Sequence, residues 1–149
     1  MFRKRGAVAP FFLFDILGSD CILSNVKFII NFLIYYVMEK IIERIKNGKW
    51  LMKDEQLQLF EMPEKVELLK MYISTGKCLC TEAQLRLFDL PERAELFELY
   101  VQENYLSEAA ELKMLDMPEK AVFFEMYFQK YILGEAAAQK ACKLGLIDV

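Results

Sequence analysis

Downstream of three prolines the apolar residues keep to one pattern. They fall at Val66, Leu69, Tyr72 and Ile73 after Pro63, at Ala94, Phe97, Tyr100 and Val101 after Pro91, and at Ala121, Phe124, Tyr127 and Phe128 after Pro118. Spacings of three and four residues place such positions on one side of a helix, so each segment predicts an α-helix with one buried face. A second, shorter apolar run precedes the next corner, as Leu85, Leu87 and Phe88 and again as Leu112, Met114 and Leu115. It follows Thr81 or Ser107, residue types that start helices well. The two runs joined by a short turn describe an antiparallel α-hairpin.

The hairpin recurs. Pro63, Pro91, Pro118 and Gly145 are separated by 28, 27 and 27 residues, and the same steps connect Leu51, Leu79, Leu106 and Leu133. Tyr72, Tyr100 and Tyr127 form a further column, and Phe60, Phe88, Leu115 and Cys142 another. A fixed period in this range marks stacked units, because one small hairpin cannot bury its apolar face alone. The expected fold is all-α: a right-handed, α-solenoid-like stack of about four antiparallel helical hairpins over residues 38–149, with a repeat of 27–28 residues.

The corners share a composition, Glu61-Met62-Pro63-Glu64-Lys65, Asp89-Leu90-Pro91-Glu92-Arg93 and Asp116-Met117-Pro118-Glu119-Lys120. An acidic residue three positions before a Glu predicts a capping box, with proline in the first turn, where an N–H is unpaired anyway. Gly145 stands where another proline is due, a C-terminal helix stop. In that last unit Ala138, Gln139 and Ala141 replace the Gln or Glu, Leu, and Leu or Met of inner units, as expected of a terminal repeat.

Running backwards, Asn47-Gly48-Lys49-Trp50-Leu51 matches Thr75-Gly76-Lys77-Cys78-Leu79, and Ile41 and Ile45 match Leu69 and Ile73. Before Met38 the repeat vanishes, so residues 1–37 form a non-repeat extension. Three readings fit it. Met38 is the true start; or the apolar run behind Arg3, Lys4 and Arg5 is a membrane or secretion segment; or an added helix caps the stack with Phe32, Tyr35 and Tyr36 facing the core. Asp15 and Asp20 interrupt the first run, and Phe28 to Met38 is too short to span a hydrocarbon layer of about 30 Å, which counts against the membrane.

Charge and composition narrow the chemistry. The chain carries net charge -3, and residues 1–37 hold four cations against Asp15 and Asp20, which leaves the repeat body acidic. Such a body does not attract phosphate backbones, and no nucleic-acid partner is expected. Histidine is absent, which removes the usual neutral-pH base and the commonest metal ligand. Cys21, Cys78, Cys80 and Cys142 contain no C-x-x-C pair and make no disulfide framework, so a reducing compartment, the cytoplasm, is expected. No cofactor, metal or catalytic residue is assigned, and the protein is read as not an enzyme.

Columns also weigh individual residues. Cys78 shares a column with Trp50, Tyr105 and Ile132, and Cys142 with Phe60, Phe88 and Leu115, so both read as apolar filling. Glu64, Glu92 and Glu119 read as capping groups, and the three tyrosines as core residues whose hydroxyls reach the rim. Gln58, Arg86, Lys113 and Lys140 occupy one polar column of the second helices, a ladder that suits an acidic helix or tail. They are the candidate protein-binding residues, against the plainer reading of a solvated face.

With segments such as Glu82-Ala83-Gln84-Leu85-Arg86-Leu87-Phe88-Asp89-Leu90-Pro91, the chain resembles the HEAT-like and related α-solenoid repeats over residues 38–149. It is more similar still to short helical repeats of bacterial proteins of unassigned function. The resemblance implies a non-catalytic scaffold or protein-protein interaction module that takes a protein or peptide. The alternative is a membrane-associated adaptor anchored through residues 1–37.

Overall fold

The computed structural model describes residues 22–148, which are all-helical. Eight α-helices follow in order: α1 (Ile22–Lys46), α2 (Lys53–Leu59), α3 (Lys65–Ser74), α4 (Thr81–Leu87), α5 (Arg93–Val101), α6 (Glu108–Met114), α7 (Lys120–Phe128) and α8 (Glu135–Lys143). There is no strand among the described residues. The chain divides between Glu43 and Arg44 into two compact units.

In the first unit, α1 runs without a break through Met38. Leu23, Val26, Phe28, Ile30, Leu33, Ile34 and Val37 are all exposed along it, beside a polar stripe of Ser24, Lys27 and Asn31. Tyr35 and Tyr36, expected to face a core, are exposed as well, and Phe32 is half-buried. The length argument against a membrane span fails: the helix has 25 residues, about 37 Å at 1.5 Å per residue, and is long and apolar enough to cross a bilayer.

In the second unit the longer helices pack in series, α3 on α5 and α5 on α7, and the shorter ones do the same, α2 on α4, α4 on α6 and α6 on α8. Short helices α2, α4 and α6 also pack on the long helix after them and not, as the expected hairpin has it, on the long helix before them. The core lies between the two series. Long helices bury Leu68, Leu69, Tyr72 and Ile73, then Leu96, Phe97, Tyr100 and Val101, then Phe123, Phe124 and Tyr127. The expected first-turn column is displaced: Val66 is half-buried and Ala94 and Ala121 are exposed, while Leu68, Leu96 and Phe123 are inside. The helices start only at residues 65, 93 and 120, so residues 66, 94 and 121 still lie at the rim. Ala83, Ala110 and Ala137 are fully buried, and side chains this small allow the short helices to approach closely.

The corners differ from the expected capping box. Each proline precedes the N-cap, and Glu64, Glu92 and Glu119 occupy N-cap positions without a side-chain capping bond. The chain instead turns through successive three-residue bonds, such as Met62 N to Leu59 O at 3.2 Å and Lys65 N to Met62 O at 3.3 Å. Met62 and Leu90 plug the corners from inside. Ser107 does cap its helix, accepting from Ala110 N at 3.4 Å, whereas Thr81 is the first residue of α4 and Cys80 the uncapped N-cap.

The change of step from 28 to 27 has a local cause. Seven residues separate Tyr72 from Leu79, but six separate Tyr100 from Leu106 and Tyr127 from Leu133. The longer turn holds Gly76 at φ 79°, and Gly48 in the preceding turn lies at φ 67°. These are left-handed residues that close the helix before the chain doubles back, a role glycine fills without a Cβ penalty. Gly145, at φ 74°, closes α8 in the same way, with Leu146 N bonding Ala141 O at 2.9 Å.

Candidate functional site

The tyrosine column is the first place where repeated side chains do repeated work. Leu51 N, Leu79 N and Leu106 N donate to the hydroxyls of Tyr72, Tyr100 and Tyr127 at 3.2, 3.1 and 3.0 Å. The hydroxyls therefore end inside, on the backbone of the preceding turn, and not at the rim. Burial raises all three above the ordinary phenol value, Tyr100 to about 12, so they stay neutral donors and acceptors.

A second buried column, Gln56, Gln84 and Glu111, ties units together. Gln56 Nε2 donates to Leu51 O at 3.1 Å while its Oε1 accepts from Cys80 N of the next turn at 2.7 Å. Gln84 repeats this with Leu79 O at 2.8 Å and Ser107 N at 2.8 Å, and its amide also donates to Tyr100 Oη at 3.1 Å. Glu111 accepts from Gly134 N at 2.9 Å and from the Tyr127 hydroxyl at 2.9 Å. The sequence columns contain these residues at steps of 28 and 27, yet polarity in short amphipathic helices reads as a solvated face. The missed signal was that Gln or Glu recurs at the same phase as buried Ala and Leu.

The polar ladder comes together as a row of inter-unit ion pairs. Arg86 reaches back to Glu61 at 3.1 Å and Lys113 to Asp89 at 2.7 Å, and Lys140 pairs with Asp116. Lys113 Nζ also donates to Leu85 O at 2.7 Å, and Lys140 Nζ to Leu112 O. Gln58 is exposed at the head of the row. The acidic corner residues thus serve the following unit, while Glu119 accepts from Arg93 at 2.7 and 3.2 Å. That hydrogen bond holds the Glu119 carboxyl below its ordinary value.

A different column is exposed, with Lys77 Nζ 5.9 Å from the centroid of the Trp50 ring at its head. Trp50, Cys78, Tyr105 and Ile132 point outward from successive turns, where Leu51, Leu79, Leu106 and Leu133 point inward. Trp50 is 56% exposed, Tyr105 72% and Ile132 91%. Cys78 is thus not core filling but exposed, and Cys80 and Cys142 are half-buried free thiols. Among the described residues no group of three His, Cys, Asp or Glu side chains is placed to hold a metal ion. Comparisons with known protein families, characterised proteins and solved structures returned no match.

Proposed function

We propose that the repeat unit is a non-catalytic interaction module, a right-handed α-solenoid-like stack of the HEAT-like type that takes a protein or peptide along the edge formed by its turns. The observation that carries this reading is the row Trp50, Tyr105 and Ile132, large side chains held in water, with the small exposed thiol of Cys78 at the intervening repeat position. Aromatic residues of this kind anchor protein interfaces, and a surface that leaves them exposed in a row offers anchors in series. The helix series of like on like supports the stack, and the ion-paired state of Arg86, Lys113 and Lys140 favours the turn edge over the ladder as the contact face.

The test is affinity capture with the immobilised full chain. Trp50→Ser, Tyr105→Ser and Ile132→Ser together lose the captured partner and keep the helical signal in circular dichroism. Replacing Arg86, Lys113 and Lys140 by Glu is the control for the other face; capture lost only in that variant moves the site to the ladder, and capture unaffected by either removes both faces.

A second reading, favoured by α1, is a membrane-associated adaptor anchored through residues 1–37. Its bare apolar surface on a 25-residue helix is the observation behind it. Alkaline carbonate extraction of native membranes checks it: release of the protein into the soluble fraction eliminates an integral anchor.

A further inference from the structure

The far side of the last hairpin is built for a different neighbour from the one that inner hairpins meet. Two members of the column Lys53, Thr81 and Glu108 reach forward to the next unit: Lys53 to Glu82 at 2.6 Å, and Glu108 accepting from Ala136 N at 3.2 Å. Their counterpart in the last unit is Glu135. A second forward column is Glu61, Asp89 and Asp116, each holding a cation of the following unit, and its last member is Lys143. The third, Gln56, Gln84 and Glu111, accepts a backbone N–H of the following turn, and ends in Ala138.

The code is therefore broken on this face. Another unit of the same kind would bring its ladder cation against Lys143 and find no acceptor at Ala138. Apolar surface is nonetheless left open. Phe128 is 47% exposed, although Ile73 and Val101 in its column are buried, and Leu144 is 41% exposed, although Met62 and Leu90 are buried and Met117 half-buried. Val122 is exposed in the column of Glu67 and Glu95. Phe128 is already held flat against Phe124, with ring centroids 5.1 Å apart, so little side-chain freedom remains to be lost on docking.

What fits is an inverted copy of the same face. Glu135, Gln139 and Lys143 are exposed and lie four residues apart along α8, one stripe with an acid at its first end and a cation at its last. Run antiparallel across a two-fold axis, the stripe is self-complementary: Glu135 meets the copy's Lys143, Gln139 meets its own counterpart, and Lys143 meets the copy's Glu135. We propose that this chain forms a two-fold dimer through the outer face of α7 and α8, with the apolar Phe128, before the stripe, and Leu144, after it, flanking the central Gln139 pair. The charge order of the stripe selects a second copy over a continuing repeat.

Sedimentation equilibrium on the full chain tests the assignment. Wild type associates to a dimer. Glu135→Lys alone or Lys143→Glu alone sets like charges opposite each other and weakens the dimer by about tenfold or more. The double variant Glu135→Lys with Lys143→Glu restores the pairing in the opposite sense and returns the dimer to near wild-type strength. A chain that stays monomeric at every concentration overturns the proposal. So does association indifferent to both single reversals, the behaviour expected if α1 were the contact, and so does a double variant no stronger than the singles.

Discussion

At the scale of the residue, one tyrosine per unit settles how the turn is held. An extended turn cannot pair its own N–H groups, and a buried unpaired donor costs about 1–3 kcal/mol, so the phenol of the following helix supplies the acceptor. The sequence made Tyr72, Tyr100 and Tyr127 legible as core, since they fall on the apolar stripe. The destination of their hydroxyls was not legible, because it depends on a partner 21 residues away whose orientation no local pattern encodes. Titration exposes the arrangement. A phenol whose pKa is raised on folding favours the neutral form in the native state, so its contribution is whole below the ordinary value of 10 and is lost as pH climbs toward the folded value of about 12 for Tyr100. Absorbance at 295 nm is expected to show these three tyrosines ionising late together with Tyr35 and Tyr131, which are also raised, and the urea midpoint is expected to fall over that window. In Tyr100→Phe one late step disappears and stability drops by about 1–3 kcal/mol.

At the scale of the element, the repeat columns located the helices but not their pairing, since each short helix packs on the long helix after it and not on the one before it, and the corners were read as local caps. Acid, proline and Glu in sequence spell a local cap, whereas Asp89 and Asp116 are occupied by Lys113 and Lys140 of the following unit. Local spacing is identical for the two uses; only the stacking separates them. The same holds for Val66, Ala94 and Ala121, which have helical periodicity yet sit where the helix has only begun. The glycine turns were legible as matching segments, and their geometry explains why two steps of the repeat differ by one residue. Gly48 isolates the backbone term, since at φ 67° a Cβ would meet nothing within 4 Å. Gly48→Ala is therefore expected to cost about 1–2 kcal/mol from the left-handed conformation alone, read from the urea midpoint with an unchanged slope. A cost near zero would mean that the turn relaxes to the shorter form used at Tyr105.

At the scale of the whole molecule, the question is whether hairpins linked only to their neighbours unfold together. The links are of two sorts. Ion pairs along the ladder are partly exposed, each worth about 0–1 kcal/mol, and too weak to couple one unit to the next. The aromatic cluster is stronger: Phe97 lies 5.8 Å from Phe88 and 4.7 Å from Phe123, ring to ring, and so ties the C-cap of α4 to α5 and α7. It is fully buried, and Phe97→Ala is expected to cost about 3–5 kcal/mol. If the helices form a linear array, as proposed, that loss falls in its middle, so residues on both sides lose protection together. Phe128→Ala, at the half-exposed C-terminal residue of α7, removes no link between units of one chain and is expected to cost the single chain under about 1 kcal/mol. Native-state hydrogen exchange separates the two. Phe97→Ala lowers protection from α3 through α7, and Phe128→Ala lowers it in α7 and α8 alone. If Phe97→Ala were to leave α3 protected as in the wild type, the hairpins would be folding as independent units, and the stack would owe its cohesion to the ladder and the buried Gln column.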